Sequence, residues 1–121
     1  MLRKTAPEGE RDIATGPVVV TLLVADSETY RIKLTQPDDI ANAYALLAGE
    51  PAPGIPNGRI DYGGDGGVNK GFAWHIDPED VEWADGAIEL CDGLPSAVGT
   101  ATFTSGRYCP WLAKVIAVEP D

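Results

Sequence analysis

The sequence predicts an α+β domain, a mainly antiparallel sheet with one principal helix packed on it. Three observations carry that expectation. A β-branched run and an alternating run flank a polar turn at 18–34; one apolar stripe at helical spacing follows at about 36–48; the remainder holds short strand-like runs broken by glycine and proline. The 121 residues suffice for one core and not for two, so residues 17–121 are expected to form a single domain behind a mobile leader at 1–16.

Residues 18–24 (VVVTLLV) are apolar at both parities, which suits a strand buried on two sides better than a helix. Ala25-Asp26-Ser27-Glu28 supplies a turn. Tyr30, Ile32 and Leu34 then alternate with Arg31, Lys33 and Thr35, the pattern of a half-exposed strand, which makes 18–34 a hairpin. Thr35 is placed to cap the helix, with Asp38 at the capping-box position and Pro37 in the first turn. Ile40, Ala43, Tyr44 and Leu47 form its apolar stripe, and Gly49 ends it. The three prolines of EPAPGIPNG (50–58) argue against regular structure there.

Arg59–Tyr62 reads as a short strand, and the glycines of Gly63-Gly64-Asp65-Gly66-Gly67 admit positive φ in the loop that follows. Alternation resumes from Gly71, with Phe72, Trp74 and Ile76 on the core face and Ala73, His75 and Asp77 on the other. Asp77-Pro78-Glu79-Asp80 reads as a cap followed by a short helical turn at 78–80. Val81 and Trp83 lie at the opposite parity to Ile88 and Leu90, so one strand running to Cys91 needs a β-bulge near Asp85-Gly86. Residues 96–107 are small and polar, a loop with a short strand around Thr102, and Leu112–Val118 is the last strand.

Nineteen acidic against nine basic residues give a formal charge of −10. That field repels phosphate backbones and anionic bilayers, and no basic stripe interrupts it, so neither nucleic acid nor membrane is expected as a partner. The acidity suits solubility, or attraction of a basic partner or a cation. MLRKTAPEGERDIATG has charges but no apolar h-region, so it is no signal peptide as it stands. The compartment is then cytoplasmic, or secreted if a signal has been removed.

The chemistry-bearing side chains concentrate in 70–95. His75, the sole histidine, shares a strand face with Asp77, as a general base would with its orienter. No nucleophile accompanies them: Ser27, Ser96 and Ser105 lie in no elbow motif. A structural hydrogen bond from His75 to Asp77 or to nearby backbone is the preferred reading. Asp61, Asp65 and Asn69 around the glycine loop are weak metal candidates, with Asp77 or Asp80 lending charge. Calcium takes about six to eight oxygens and the loop ends in no bidentate Glu, so neither metal nor cofactor is expected. The glycines also precede no helical pattern of the kind a dinucleotide fingerprint needs. Trp74, Trp83 and Trp111 suit a core better than a stacking platform, with Trp111 expected over the Cys109 region. Cys91 and Cys109, 18 positions apart, fit no metal-ligand spacing and leave a disulfide, buried thiols or a catalytic thiol open.

GRI at 58–60, GFAWHIDPEDVEWAD at 71–85, IELCDG at 88–93 and YCPW at 108–111 resemble a family of small bacterial proteins. These are called calmodulin-binding-protein-like, after the N-terminal domain of a eukaryotic calmodulin-binding protein. The strand Tyr30–Thr35 and the helix through Gly49 fit as well, so the similarity runs from about Thr29 to Val118. The resemblance implies a small, largely secreted α+β domain. It marks Trp74, His75, Asp77, Pro78, Cys91, Asp92, Cys109, Pro110 and Trp111 as signature positions, and it favours the Cys91–Cys109 disulfide. Calmodulin itself is doubtful as a partner. Its targets are basic amphipathic helices, whereas residues 36–48 contain no Lys or Arg and the chain shares calmodulin's negative sign.

The expected function is therefore a non-enzymatic binding or interaction module for an unidentified protein or small-molecule ligand. Its contact residues are Asp65 in the glycine loop, then Trp74, His75, Asp77 and Asp80. Two alternatives stand beside it: a small hydrolase or lyase using His75 and Asp77, and an inhibitor-like domain presenting the proline-stiffened EPAPGIP (50–56) to a protease.

Overall fold

The computed structural model describes residues 16–121, so the expected leader lies, but for Gly16, outside the described residues. The chain runs β1 (Val18–Val24), β2 (Glu28–Leu34), α1 (Pro37–Leu47), β3 (Ile55–Asp61), β4 (His75–Ala84), β5 (Arg107–Tyr108) and β6 (Ala113–Pro120). Single 3-10 turns occupy Glu89–Cys91 and Pro95–Ala97. The predicted α+β class holds, with the strands divided between two three-stranded antiparallel sheets, β2-β1-β6 and β4-β3-β5.

The expected hairpin is present, in register from Val18 with Leu34 to Val24 with Glu28. Ala25 and Asp26 take positive φ (52° and 53°) and Ser27 N–H donates to Val24 O, a mirror-image turn that follows the strand twist. Burial of β1 on two sides is not found. Val18, Val20, Leu22 and Val24 are buried, while Val19, Thr21 and Leu23 are only half-covered, Thr21 Oγ1 accepting a bond from Arg31 Nε.

Helix α1 starts after Gln36, with no side-chain cap; Thr35 Oγ1 donates instead to Pro78 O, so it ties the helix entry to β4. The end is as expected. Gly49 takes φ 79°, its N–H donates to Leu46 O and that of Glu50 to Ala45 O, a Schellman pair. Ile40, Ala43 and Tyr44 of the expected stripe pack on the core, joined by Leu46; Leu47, in the last turn, is 42% exposed.

Strand β3 starts at Ile55, inside the segment expected to be irregular. Pro56 is tolerated because β5 covers only Gly58 and Arg59, leaving that side of β3 at position 56 unpaired. Gly58 leaves no room for a side chain: a Cβ there would collide with the Ile76 methyl.

The helical turn expected at 78–80 is absent, for β4 runs through it. Gly58 pairs with Val81 and Ile60 with Ile76, so one residue of β3 faces four of β4. Asp77 does cap, but its Oδ1 accepts the Glu79 N–H (2.9 Å) inside a bulge. Three residues bury no helical face of their own, whereas the ladder holds both flanks. The phase change lies here, between Ile76 and Val81, and not near Asp85-Gly86. β4 ends at Ala84, and Ile88 and Leu90 are exposed. The strand expected around Thr102 is instead the two-residue β5.

The inner faces of both sheets and α1 enclose one core, with Leu22, Ile32, Ile40, Ile60 and Tyr108 among its members. Trp74 is in it, 3% exposed and edge-on to Tyr108 with ring centroids 5.6 Å apart. Cys91 and Cys109 form the disulfide, Cα atoms 5.1 Å apart, and Cys109 N–H donates to Cys91 O (2.7 Å). Trp111 is not sealed into the fold: it is 40% exposed, its backbone N–H donating to Asp92 Oδ1.

Candidate functional site

The outer face of the second sheet gathers most of the polar residues singled out in the sequence. Period-two alternation sends Pro56, Gly58 and Ile60 of β3 inward and Asn57, Arg59 and Asp61 outward. His75, Asp77 and Asp80 stand beside them on β4, and β5 adds Arg107, the register partner of Arg59.

Two arginines bind the acidic bulge to the sheet. Arg59 Nη2 donates to Asp77 Oδ2 (2.5 Å), and its Nε lies 3.7 Å from Asp80 Oδ2. Arg107 Nη1 donates to Asp80 Oδ1 (2.9 Å), while its Nε and Nη2 reach Asn57 Oδ1 (2.7 Å) and Asn57 O (3.1 Å). Asp80 thus sits between two guanidinium groups. The Glu79 N–H, and then the Arg59 guanidinium, hold the Asp77 carboxyl below the usual carboxylate range. At the start of α1, burial pushes the Asp39 carboxyl up, reinforced by Asp38 and Glu82.

His75 does not bond Asp77. Its Nδ1 lies 2.9 Å from Gly64 O, and because a carbonyl only accepts, Nδ1 carries the proton. Nε2 faces Asp61 Oδ2 at 3.5 Å. Gly66, at φ 65°, lies against the ring; a Cβ there would come within 2.5 Å of its Cγ. The glycine loop therefore closes over His75, leaving its side chain 19% exposed.

The weak metal candidates do not converge. Asp61 Oδ1 accepts the Gly63 N–H and Asp65 Oδ1 the Gly67 N–H, both at 2.8 Å. Asn69, 1% exposed, takes the Arg31 N–H on Oδ1 and donates from Nδ2 to Trp74 O, both at 3.0 Å. Among the described residues no group of three His, Cys, Asp or Glu side chains is placed to hold a metal ion. Of the expected contact residues, then, His75, Asp77 and Asp80 share one face, Asp65 shapes the adjoining loop, and Trp74 is a core residue. Arg59, Arg107 and Asn57 were not singled out. Arg59 was readable from its parity with Asp61, but a two-residue strand gives Arg107 no signal.

The sequence profile of the N-terminal domain of calmodulin-binding protein 74 matches residues 17–121. No curated protein matches the chain, and no solved structure does. No helix among the described residues is long and apolar enough to cross a membrane.

Proposed function

The chain belongs to the calmodulin-binding protein 74 N-terminal domain family, and on that premise we propose that it is a non-enzymatic binding module. It meets an unidentified protein or small-molecule ligand through the outer face of the second sheet. One observation carries the reading: Arg59, Asp77, Asp80 and Arg107 form an array of both charge signs, fixed on strands. Groups already held in place lose little freedom when a partner docks, which lowers the cost of binding. Alternating charges also select a partner of complementary pattern.

Neither alternative has a comparable observation behind it. A general base needs a free nitrogen near a nucleophile; with Nδ1 donating to Gly64 O that nitrogen is His75 Nε2, and it faces the Asp61 carboxylate rather than a hydroxyl or thiol. Asp77 is taken by Arg59 and so does not orient the ring. Within EPAPGIP, Ile55 and Pro56 belong to β3, and Asn42 Nδ2 pins Pro53 O at 2.9 Å.

Photocrosslinking from the intact protein tests the assignment. A photoreactive residue at Glu79 or Glu82, both exposed, should capture a partner, and Arg59→Glu should reduce that capture at least tenfold. The same residue at Leu112, 69% exposed at the entry to β6, should not. Capture at Leu112 with none at Glu79 and Glu82 overturns the assignment of the face.

A further inference from the structure

A groove of about 530 Å³ lies on the first sheet, beside the glycine loop, and among its lining residues are Val19, Arg31, Val68, Lys70, Glu119 and Pro120. Its charges stand out against the rest of the chain. The described residues hold six Lys and Arg side chains. Arg59 and Arg107 are held by the acidic bulge, and Lys33 bonds Asp121 at 2.9 Å. No described carboxylate pairs with Arg31, Lys70 or the remaining cation, Lys114, and no described cation pairs with Glu119. Among the described residues, then, two cations without a carboxylate partner and one carboxylate without a cation line the groove, beside Asp121, whose carboxylate is bound to Lys33. The first wall is built rather than accidental. Buried Asn69 takes the backbone N–H of Arg31 and precedes Lys70, so the loop is tied to β2 where these two residues leave the backbone. Glu119 stands on β6, across Val19 of β1.

We propose that this groove binds a zwitterion of amino-acid chemistry, a free amino acid or a short peptide. The Arg31 fork and Lys70 receive its carboxylate. Glu119 receives its ammonium group, and an apolar side chain lies on Val19, Val68 and Pro120. The volume falls within the range of small-ligand sites, about 300–1,000 Å³. The proposal stands on residues other than the binding face and holds whether or not that assignment does.

Amide chemical-shift titration of the full chain tests it, with valine and the dipeptide Ala-Val as probes. At least one should give saturable shifts centred on Arg31, Lys70 and Glu119, and the tighter of the two identifies the source. N-acetylvaline and valine amide should bind at least tenfold more weakly. Arg31→Gln and Lys70→Gln, exposed positions whose fold the same spectra report, should each weaken binding several-fold. Glu119→Gln should erase the preference for valine over N-acetylvaline, and Lys114→Gln, outside the groove, should change nothing. Absence of saturable shifts with both probes, or blocked analogues binding as well as the zwitterions, overturns the proposal.

Discussion

Asp77 is bonded on both oxygens, Oδ1 by the Glu79 N–H and Oδ2 by Arg59. Its carboxyl is therefore held below the usual range, and the folded state favours its charged form. The stabilisation is present above the unfolded-state value, about 3.9, and is lost as pH falls through the lower folded value. Asp39 has the opposite sign: burial raises its folded value, so its contribution fades as pH rises through that value. Urea titrations from neutral to strongly acid pH should show Asp77→Asn flattening the acid limb, and Asp39→Asn gaining relative to the parent above it. Arg107→Ala removes the bonds to Asn57 and Asp80 and should cost about 1–2 kcal/mol in urea, discounted because the site is half-exposed. Lysine should not restore it, lacking the planar fork. His75 and Asp77 were legible as a pair on one face, but their partners were not. Asp77 is met by Arg59 from 18 positions away and Asp80 by Arg107 from 27, contacts that only the sheet register creates.

Among the elements, the hairpin and α1 were readable because local periodicity and an end glycine suffice for them. The bulge in β4 was not. Asp-Pro-Glu-Asp carries the chemistry of a helix start, and only the pairing of Gly58 with Val81 and Ile60 with Ile76 makes it a loop-out within a strand. The shift of parity from Val81 and Trp83 to Ile88 and Leu90 is not that bulge, since β4 ends at Ala84 and Ile88 and Leu90 are exposed. Gly58 is the tightest point of that pairing. Gly58→Ala drives a methyl into Ile76 and should cost about 1–3 kcal/mol in equilibrium unfolding, more than Gly49→Ala. At Gly49 the cost is the positive φ alone, about 1 kcal/mol, with open space around the added carbon.

At the scale of the molecule, two sheets and one helix share a core that the disulfide closes at one end. The 18-residue separation implies about 3 kcal/mol of stabilisation through the unfolded state. In denaturant without reductant neither cysteine should be alkylated; after reduction both should be, with the urea midpoint lowered accordingly. The two signature runs are joined here: Cys109 N–H meets Cys91 O, and Asp92 holds the Trp111 N–H. On this frame stands the face proposed for binding, and the one histidine, through Gly64 O, holds the glycine loop. Urea unfolding of His75→Ala, run beside a hydrolase panel on parent and variant, tests it most directly. A loss of about 1–3 kcal/mol is expected, because Gly64 O loses its donor and the loop its packing surface, with no difference in turnover. A variant as stable as the parent that has lost a hydrolytic activity the parent possesses would contradict it.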